Sequence, residues 1–174
     1  MPAVEVTASQ LEIVSHSPAE TAAIGEAIAG SLRNGDLVLL HGDLGAGKTT
    51  LAKGIASALG VAGVVSSPSF SLVNEYDTRH GAITRLYHLD LYRLRTEDDL
   101  ASIGFDDFTA PGEGITLVEW PERASTVLPD RFLLVEIEPL GSGGRRLRFV
   151  AIPDDEISRR RIESLRSRIA SNID

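Results

Sequence analysis

Residues 36–49 read DLVLLHGDLGAGKT, and this stretch decides the fold. Its first six residues are nearly all apolar and run straight into glycine, the pattern of a strand buried on both faces. Residues 42–49, Gly42-Asp43-Leu44-Gly45-Ala46-Gly47-Lys48-Thr49, match G-x-x-x-x-G-K-[ST] in full. A helix is expected next, from about Lys48 to Leu59, stopped by Gly60. Strand, glycine loop and helix thus follow in the order a phosphate site requires. Glycine lets the backbone approach an anion closely. Successive N–H groups point inward, and the helix adds its positive N-terminal end. On this reading Asp43, Leu44, Gly45, Ala46, Gly47, Lys48, Thr49 and Thr50 hold a nucleoside triphosphate. Lys48 neutralises the β- and γ-phosphates, and the Thr49 hydroxyl is a Mg2+ ligand.

Before this stretch, residues 11–15 suit a short strand. Ser17-Pro18-Ala19-Glu20 then opens a helix, with Ser17 as cap, Pro18 at the first helical position and Glu20 completing a capping box. Apolar residues at 24, 28 and 32 give that helix one buried stripe, and Asn34-Gly35 is expected to end it. After the phosphate loop, residues 69–76 and 82–92 read as a strand pair across Thr78-Arg79-His80-Gly81. A short helix is expected at about 96–102, and an apolar strand at 114–120. Residues 131–138 and 145–152 read as a hairpin joined by Gly141-Ser142-Gly143-Gly144. An Arg-rich helix is expected over about 154–173. The whole predicts one α/β domain over residues 1–174, a P-loop NTPase-like three-layer α/β/α sandwich whose mixed sheet carries added antiparallel strands.

A P-loop site normally draws on a second carboxylate at the end of a neighbouring apolar strand. Glu119, after Ile115-Thr116-Leu117-Val118, occupies such a place and is expected to hold Mg2+, directly or through water. The alternative is an ordinary strand-end carboxylate, although a lone one beside a core strand needs a compensating partner. In Tyr87-His88-Leu89-Asp90-Leu91-Tyr92, strand alternation puts His88, Asp90 and Tyr92 on one face. Asp90 is the expected catalytic residue beside Lys48, orienting the attacking water or binding Mg2+ through water. His88 supports Asp90 or is a satisfied core histidine. Arg93 contacts phosphate or pairs with a nearby acid.

Bulk properties narrow the class. The chain has 174 residues, a net charge of -8, 43% hydrophobic residues and no cysteine. Disulfides, thiolate metal sites and cysteine nucleophiles are therefore excluded. The acidic balance argues against a protein whose main task is gripping a polyanion. The N-terminal stretch MPAVEVTASQLEIVS is neither basic nor continuously apolar, so it does not read as a secretory signal. No apolar run approaches the roughly 18–20 residues that span a bilayer, so the expectation is a cytoplasmic protein with no membrane partner. The base-reading sequence N-K-x-D of GTPases is absent, which favours ATP. A small-molecule P-loop kinase shares loop and fold but needs an acceptor pocket and a lid. The tip Gly141-Ser142-Gly143-Gly144 is too short for that lid. A nucleotide-dependent binding module with negligible turnover is a third reading.

The runs GDLGAGKTTLAKGIASALG (42–60), SPSFSLVNEY (67–76), YHLDLYRL (87–94) and LVEWPER (117–123) together resemble the bacterial TsaE (YjeE) family. The resemblance spans roughly residues 10–150. It implies an ATPase of the pathway that places threonylcarbamoyladenosine at position 37 of tRNA. By this resemblance the cofactors are ATP and Mg2+, with Thr49 and Glu119 as metal ligands and Asp90 important for hydrolysis. Trp120 would be a functional aromatic beside the site, and Ser66-Ser67-Pro68-Ser69-Phe70 a switch-like segment near the γ-phosphate. Ser69 stands where the family usually has threonine, and the hydroxyl is kept. Ser17 and Pro18 would contact the nucleotide, and Arg145 and Arg146 would approach the base. The implied partner is the TsaB–TsaD complex, which hydrolysis resets between turnovers. Contact with tRNA would be indirect or weak, because Arg159, Arg160, Arg161, Arg166 and Arg168 read better as a solvated helix face paired with Glu156 and Glu163.

Overall fold

The computed structural model describes residues 9–79 and 81–173. The first eight residues, His80 of the expected strand-pair turn, and Asp174 lie outside the described residues. The strand β2 (Leu37–His41) lies in the middle of a seven-stranded sheet. Its first four residues are buried, as an apolar run flanked on both sides requires, and each such leucine or valine contributes roughly 1.5–3 kcal/mol. The strand runs parallel to β5 (Gly114–Glu119) on one side and β6 (Phe132–Pro139) on the other. Beyond β5 comes β4 (Arg85–Asp90), also parallel, and then the antiparallel edge strand β3 (Val73–Asp77). Beyond β6 come β7 (Arg145–Ile152) and β1 (Gln10–Ser15), both antiparallel to their neighbours. The sheet is the expected mixed one, a parallel centre with antiparallel additions at both ends.

Helices α1 (Pro18–Ala29), α2 (Lys48–Ala58) and α5 (Glu156–Ile173) cover one face, where Ile24, Ile28, Leu51, Ile55, Ile162 and Leu165 meet Val38, Leu40, Leu117 and Phe149. The other layer is thin. Helices α3 (Glu97–Ser102) and α4 (Phe105–Phe108) place Leu100 and Phe105 over Leu37, Leu39, Leu89 and Val118. Towards β7 and β1 this face carries charged side chains instead, with Arg148 on Glu136 and Arg146 on Glu138 and Glu12.

Local chemistry explains most element ends. Ser17 caps α1 by accepting from the Glu20 N–H at 3.1 Å, and the Glu20 carboxylate reaches back to the His16 N–H at 2.7 Å. The helix ends at Ala29 rather than Asn34, because Ser31 and Leu32 bond the carbonyls of Ile28 and Ala29 in a tightened last turn. Leu32 stays buried all the same. The expected strand over 69–76 begins only at Val73. Leu72 takes a left-handed φ of 68° and donates to the Pro68 carbonyl, so residues 68–72 form a turn. Thr96 and Asp99 form a complete capping box on α3, and α4 follows Gly104 without a clear sequence signal.

Two helix contacts are close enough to exclude side chains. A Cβ on Gly54 would stand 2.1 Å from the Ala22 carbonyl oxygen, and one on Gly25 2.4 Å from that of Leu51. These paired glycines let α1 and α2 touch backbone to backbone, which fixes α2 and hence the loop before it. Among the Arg-rich helix residues, Arg160 pairs with Glu156 at 2.9 Å and Arg159 with Asp154 at 3.2 Å. Arg161 instead reaches Asp36, at the start of β2, at 2.6 Å and docks the helix. Asp155 caps α5 through the Ser158 N–H at 2.9 Å and also holds Arg131 at 2.5 Å.

Gly54→Ala should therefore lower the denaturant midpoint by an amount equivalent to about 1–3 kcal/mol of overpacking, and an unchanged midpoint would show that α1 and α2 can separate. The Arg131 guanidinium, followed by the Ser158 N–H, holds the Asp155 carboxyl well below the usual carboxylate range. A depressed pKa stabilises the fold above the unfolded-state value near 4 and loses that effect as pH falls below it. Asp155→Ala should lower Tm at pH 7, and its gap from the wild type should narrow progressively as pH is taken below about 4.

Candidate nucleotide and metal site

The site forms where the parallel strands end. Leu40 of β2 stands in register with Glu119 of β5, and Glu119 with Asp90 of β4. Three strand ends thus lie in one row beneath the phosphate loop. The loop turns through Gly45 and Gly47, with φ of 78° and 112°. No side chain caps α2, so its first N–H groups are left for an anion. A cleft of about 460 Å3 opens here, lined by Gly45, Lys48, Thr49, Asp90, Glu119 and Trp120 among others. A hollow of about 630 Å3 at the far end of the sheet, lined by Glu26, Arg33, Asn34 and Ile83, brings no such chemistry together.

Four ionisable side chains of the site are nearly or fully buried: Lys48, His88, Asp90 and Glu119. Each has a partner, as burial demands. The Lys48 ammonium donates to the carbonyls of Gly42 and of Asp43, the latter at 2.9 Å, and lies 4.3 Å from the Trp120 ring centroid. Burial lowers its pKa, and the negative charges of Glu119 and then Asp90 oppose that shift. Glu119 accepts on Oε1 from the Thr49 hydroxyl at 3.4 Å and meets His88 Nε2 at 2.9 Å. Asp90 accepts from the Ser67 hydroxyl at 2.8 Å and from the Tyr92 N–H at 3.0 Å.

The expected residues fall into two groups. Leu44, Gly45, Ala46, Gly47, Lys48, Thr49, Thr50, Asp90 and Glu119 all line the cleft, as do Arg93 and Ser69. Asp43 contributes its carbonyl to Lys48 instead of a wall. Ser17 and Pro18 do not line the cleft, and the Ser17 hydroxyl is occupied in capping α1. The part of α1 near the loop is Thr21, whose methyl lies 3.9 Å from the Cβ position of Gly47. Arg145 enters the cleft and donates to the Gly45 carbonyl at 3.3 Å, whereas Arg146 turns to Glu138 and Glu12 on the outer face.

Three contacts depart from the sequence reading or were invisible in it. His88 serves Glu119 rather than Asp90, because the neighbouring strand, not its own, supplies the acceptor. Tyr92 does not continue the strand face. Asp90 takes the Tyr92 N–H and ends the strand in a local turn, leaving the Tyr92 ring tilted against Trp120 at 4.8 Å. Trp120 itself holds a left-handed φ of 60° directly after β5, and the chain then enters a tight helical turn at Pro121–Ala124. That rare backbone swings the ring towards Lys48, and the only hint of it in the sequence is the following proline.

The donor set fits a small, hard cation bound with phosphate. Mg2+ takes oxygen ligands and keeps water or phosphate in most positions, and Thr49 and Glu119 offer two oxygens side by side. Among the described residues no three His, Cys, Asp or Glu side chains converge into a cage that would hold a metal unaided.

Known proteins share this arrangement of elements. A family model described as "Threonylcarbamoyl adenosine biosynthesis protein TsaE" matches residues 15–147. The tRNA threonylcarbamoyladenosine biosynthesis protein TsaE of Bacillus subtilis is 38% identical over 143 residues, 82% of this chain and 87% of that one. The protein of the same name from Treponema pallidum is 36% identical over 137 residues, 79% of this chain and 98% of that one. The crystal structure of Bacillus subtilis YdiB superimposes with a TM-score of 0.73 at 33% identity, covering 95% of this chain and 97% of that one. The matched residues contain the phosphate loop, Asp90 and Glu119, and on these grounds the chain belongs to the TsaE family of threonylcarbamoyl adenosine biosynthesis proteins.

Proposed function

We propose that the protein is a Mg2+-dependent ATPase acting on the TsaB–TsaD complex, so that the tRNA-modifying machinery can turn over repeatedly. The observation that carries the reading is the meeting of the Thr49 hydroxyl and the Glu119 carboxylate, 3.4 Å apart, against a glycine loop with uncapped N–H groups. Family membership supplies the pathway. The absence of N-K-x-D favours ATP over GTP.

The residues divide the work as follows. Backbone N–H groups of residues 45–50 bind the phosphate oxygens. Lys48 neutralises charge as it develops on the transferred group. Thr49 and Glu119 would hold Mg2+, which would offset the negative charge of the phosphates. Asp90 orients the attacking water and is itself held by Ser67 and Tyr92. Arg145 brings a second cation to the loop. The acidic chain, at net charge -8, suits a protein partner better than direct tRNA binding.

Phosphate release measured with and without TsaB–TsaD tests the reading. Stimulation by the complex is expected. Transfer of the γ-phosphoryl group to a metabolite, with no response to the complex, would sink it. Lys48→Ala should weaken triphosphate binding by about ten- to a hundred-fold, the loss of a charged hydrogen-bond donor. Asp90→Ala should leave binding intact and lower turnover by roughly a hundred-fold. Glu119→Ala should abolish the Mg2+ dependence of binding. Trp120 is the single tryptophan and Lys48 sits against its ring. ATP with Mg2+ should therefore change its emission, and Lys48→Ala should remove the change.

A further inference from the structure

His88 is wholly enclosed between β4 and β5, with no exposed surface. It stands opposite Leu117 in the register, so the contact from its Nε2 to Glu119 runs diagonally across the pair, two residues along. The distance is 2.9 Å. The other ring nitrogen, Nδ1, is buried and has no partner among the described residues. A carboxylate only accepts, so the proton of a neutral imidazole belongs on Nε2, and Nδ1 is left as a bare acceptor. A fully enclosed histidine with one unused nitrogen is a poor choice for filling a core, where leucine or phenylalanine leaves no polar atom unmatched. Among the described residues, the ring's one polar contact is to Glu119.

That contact has a directional effect. Among the described residues, both hydrogen bonds of the Glu119 carboxylate fall on Oε1, from His88 on β4 and from Thr49 on α2. These contacts anchor one carboxylate oxygen and leave Oε2 without a hydrogen bond among the described residues, on a side chain that lines the cleft. Lys48, the cation nearest in function, is meanwhile committed to its own loop carbonyls and the Trp120 ring. Among the described residues, the imidazole is the one hydrogen-bond partner that the sheet offers the Glu119 carboxylate. We propose that His88 is the positioning residue of the metal site: it orients the Glu119 carboxylate towards Mg2+ through an Nε2–H hydrogen bond. This rests on the assignment of Glu119 as metal ligand made above.

Partners that orient a metal ligand typically affect metal affinity by 10–100-fold. The test measures ATP binding by calorimetry across a Mg2+ series and in EDTA, together with Tm. His88→Phe keeps the ring and removes the donor. It should raise the Mg2+ concentration for half-maximal enhancement of binding by about ten-fold or more, with ATP affinity in EDTA unchanged. His88→Gln carries an N–H that reaches the Nε2 position and should restore most of the Mg2+ response. His88→Asn, whose amide is too short, should not. The Gln and Asn pair carries the comparison even where the Phe variant fails to fold. Equal Mg2+ requirements for wild type and His88→Phe, or for the Gln and Asn variants, would overturn the proposal. Glu119→Ala separates the two claims. If it too leaves the Mg2+ requirement unchanged, the metal assignment fails. If it shifts the requirement while the histidine variants do not, only the role of His88 fails.

Discussion

The parallel register of β2, β5 and β4 is the constraint on which the site depends. Leu40, Glu119 and Asp90 occupy one row across three strands, and their side chains face the layer that holds α2. A slip of one residue in any strand would turn its site residue to the opposite face. Register here is secured by burial on both sides, with Leu39 and Val118 packed under α3 and α4 while Leu40 and Leu117 pack under α1 and α2. The thin second layer therefore matters to the chemistry although it contributes no site residue. It anchors the alternate residues of the strands that carry Glu119 and Asp90.

The helix layer sets the other half of the geometry. The loop over residues 42–47 is glycine-rich, with Ala46 its one buried apolar side chain. Its position is inherited from β2 before it and α2 after it. The close approach at Gly25 and Gly54 ties α2 to α1, and the Ser15 and Thr21 hydroxyls, 2.7 Å apart, tie α1 to the edge strand β1. Arg145, the first residue of β7, closes the circuit by reaching the Gly45 carbonyl. Elements distant in sequence thus meet at the loop, which holds a flexible segment in one shape at modest cost in backbone entropy.

Much of this was legible in the sequence because the signals are local. The apolar run before Gly42, the motif over 42–49 and the cap at Ser17 each act within a few residues, and each took the form their chemistry predicts. Glu119 was found from its place at the end of an apolar strand. Pairings across strands were not legible. Alternation put His88 and Asp90 on one face correctly, but only the β4–β5 register decides that His88 meets Glu119. Tyr92 illustrates the opposite failure: a period-2 pattern continued on paper where a side-chain bond from Asp90 ended the strand. The four-residue α4 and the left-handed Trp120 follow from tertiary packing and chain reversal, and neither has a periodic signature to read.

The protein satisfies its own site charges, and this governs what ligand binding can yield. Lys48 makes two carbonyl bonds and a ring contact, Asp90 takes a hydroxyl and an N–H, and Arg145 bonds the carbonyls of Gly143, Gly144 and Gly45. A phosphate that engages Lys48 exchanges these contacts for new ones, so the net gain is a difference between two well-bonded arrangements. A charge count would overstate affinity. The same exchange links binding to shape. Lys48 lies against the Trp120 ring, and Trp120 lies against Tyr92, the residue whose N–H holds Asp90. Contact by contact, Lys48 is joined to Asp90 through the rings of Trp120 and Tyr92 and the Tyr92 N–H.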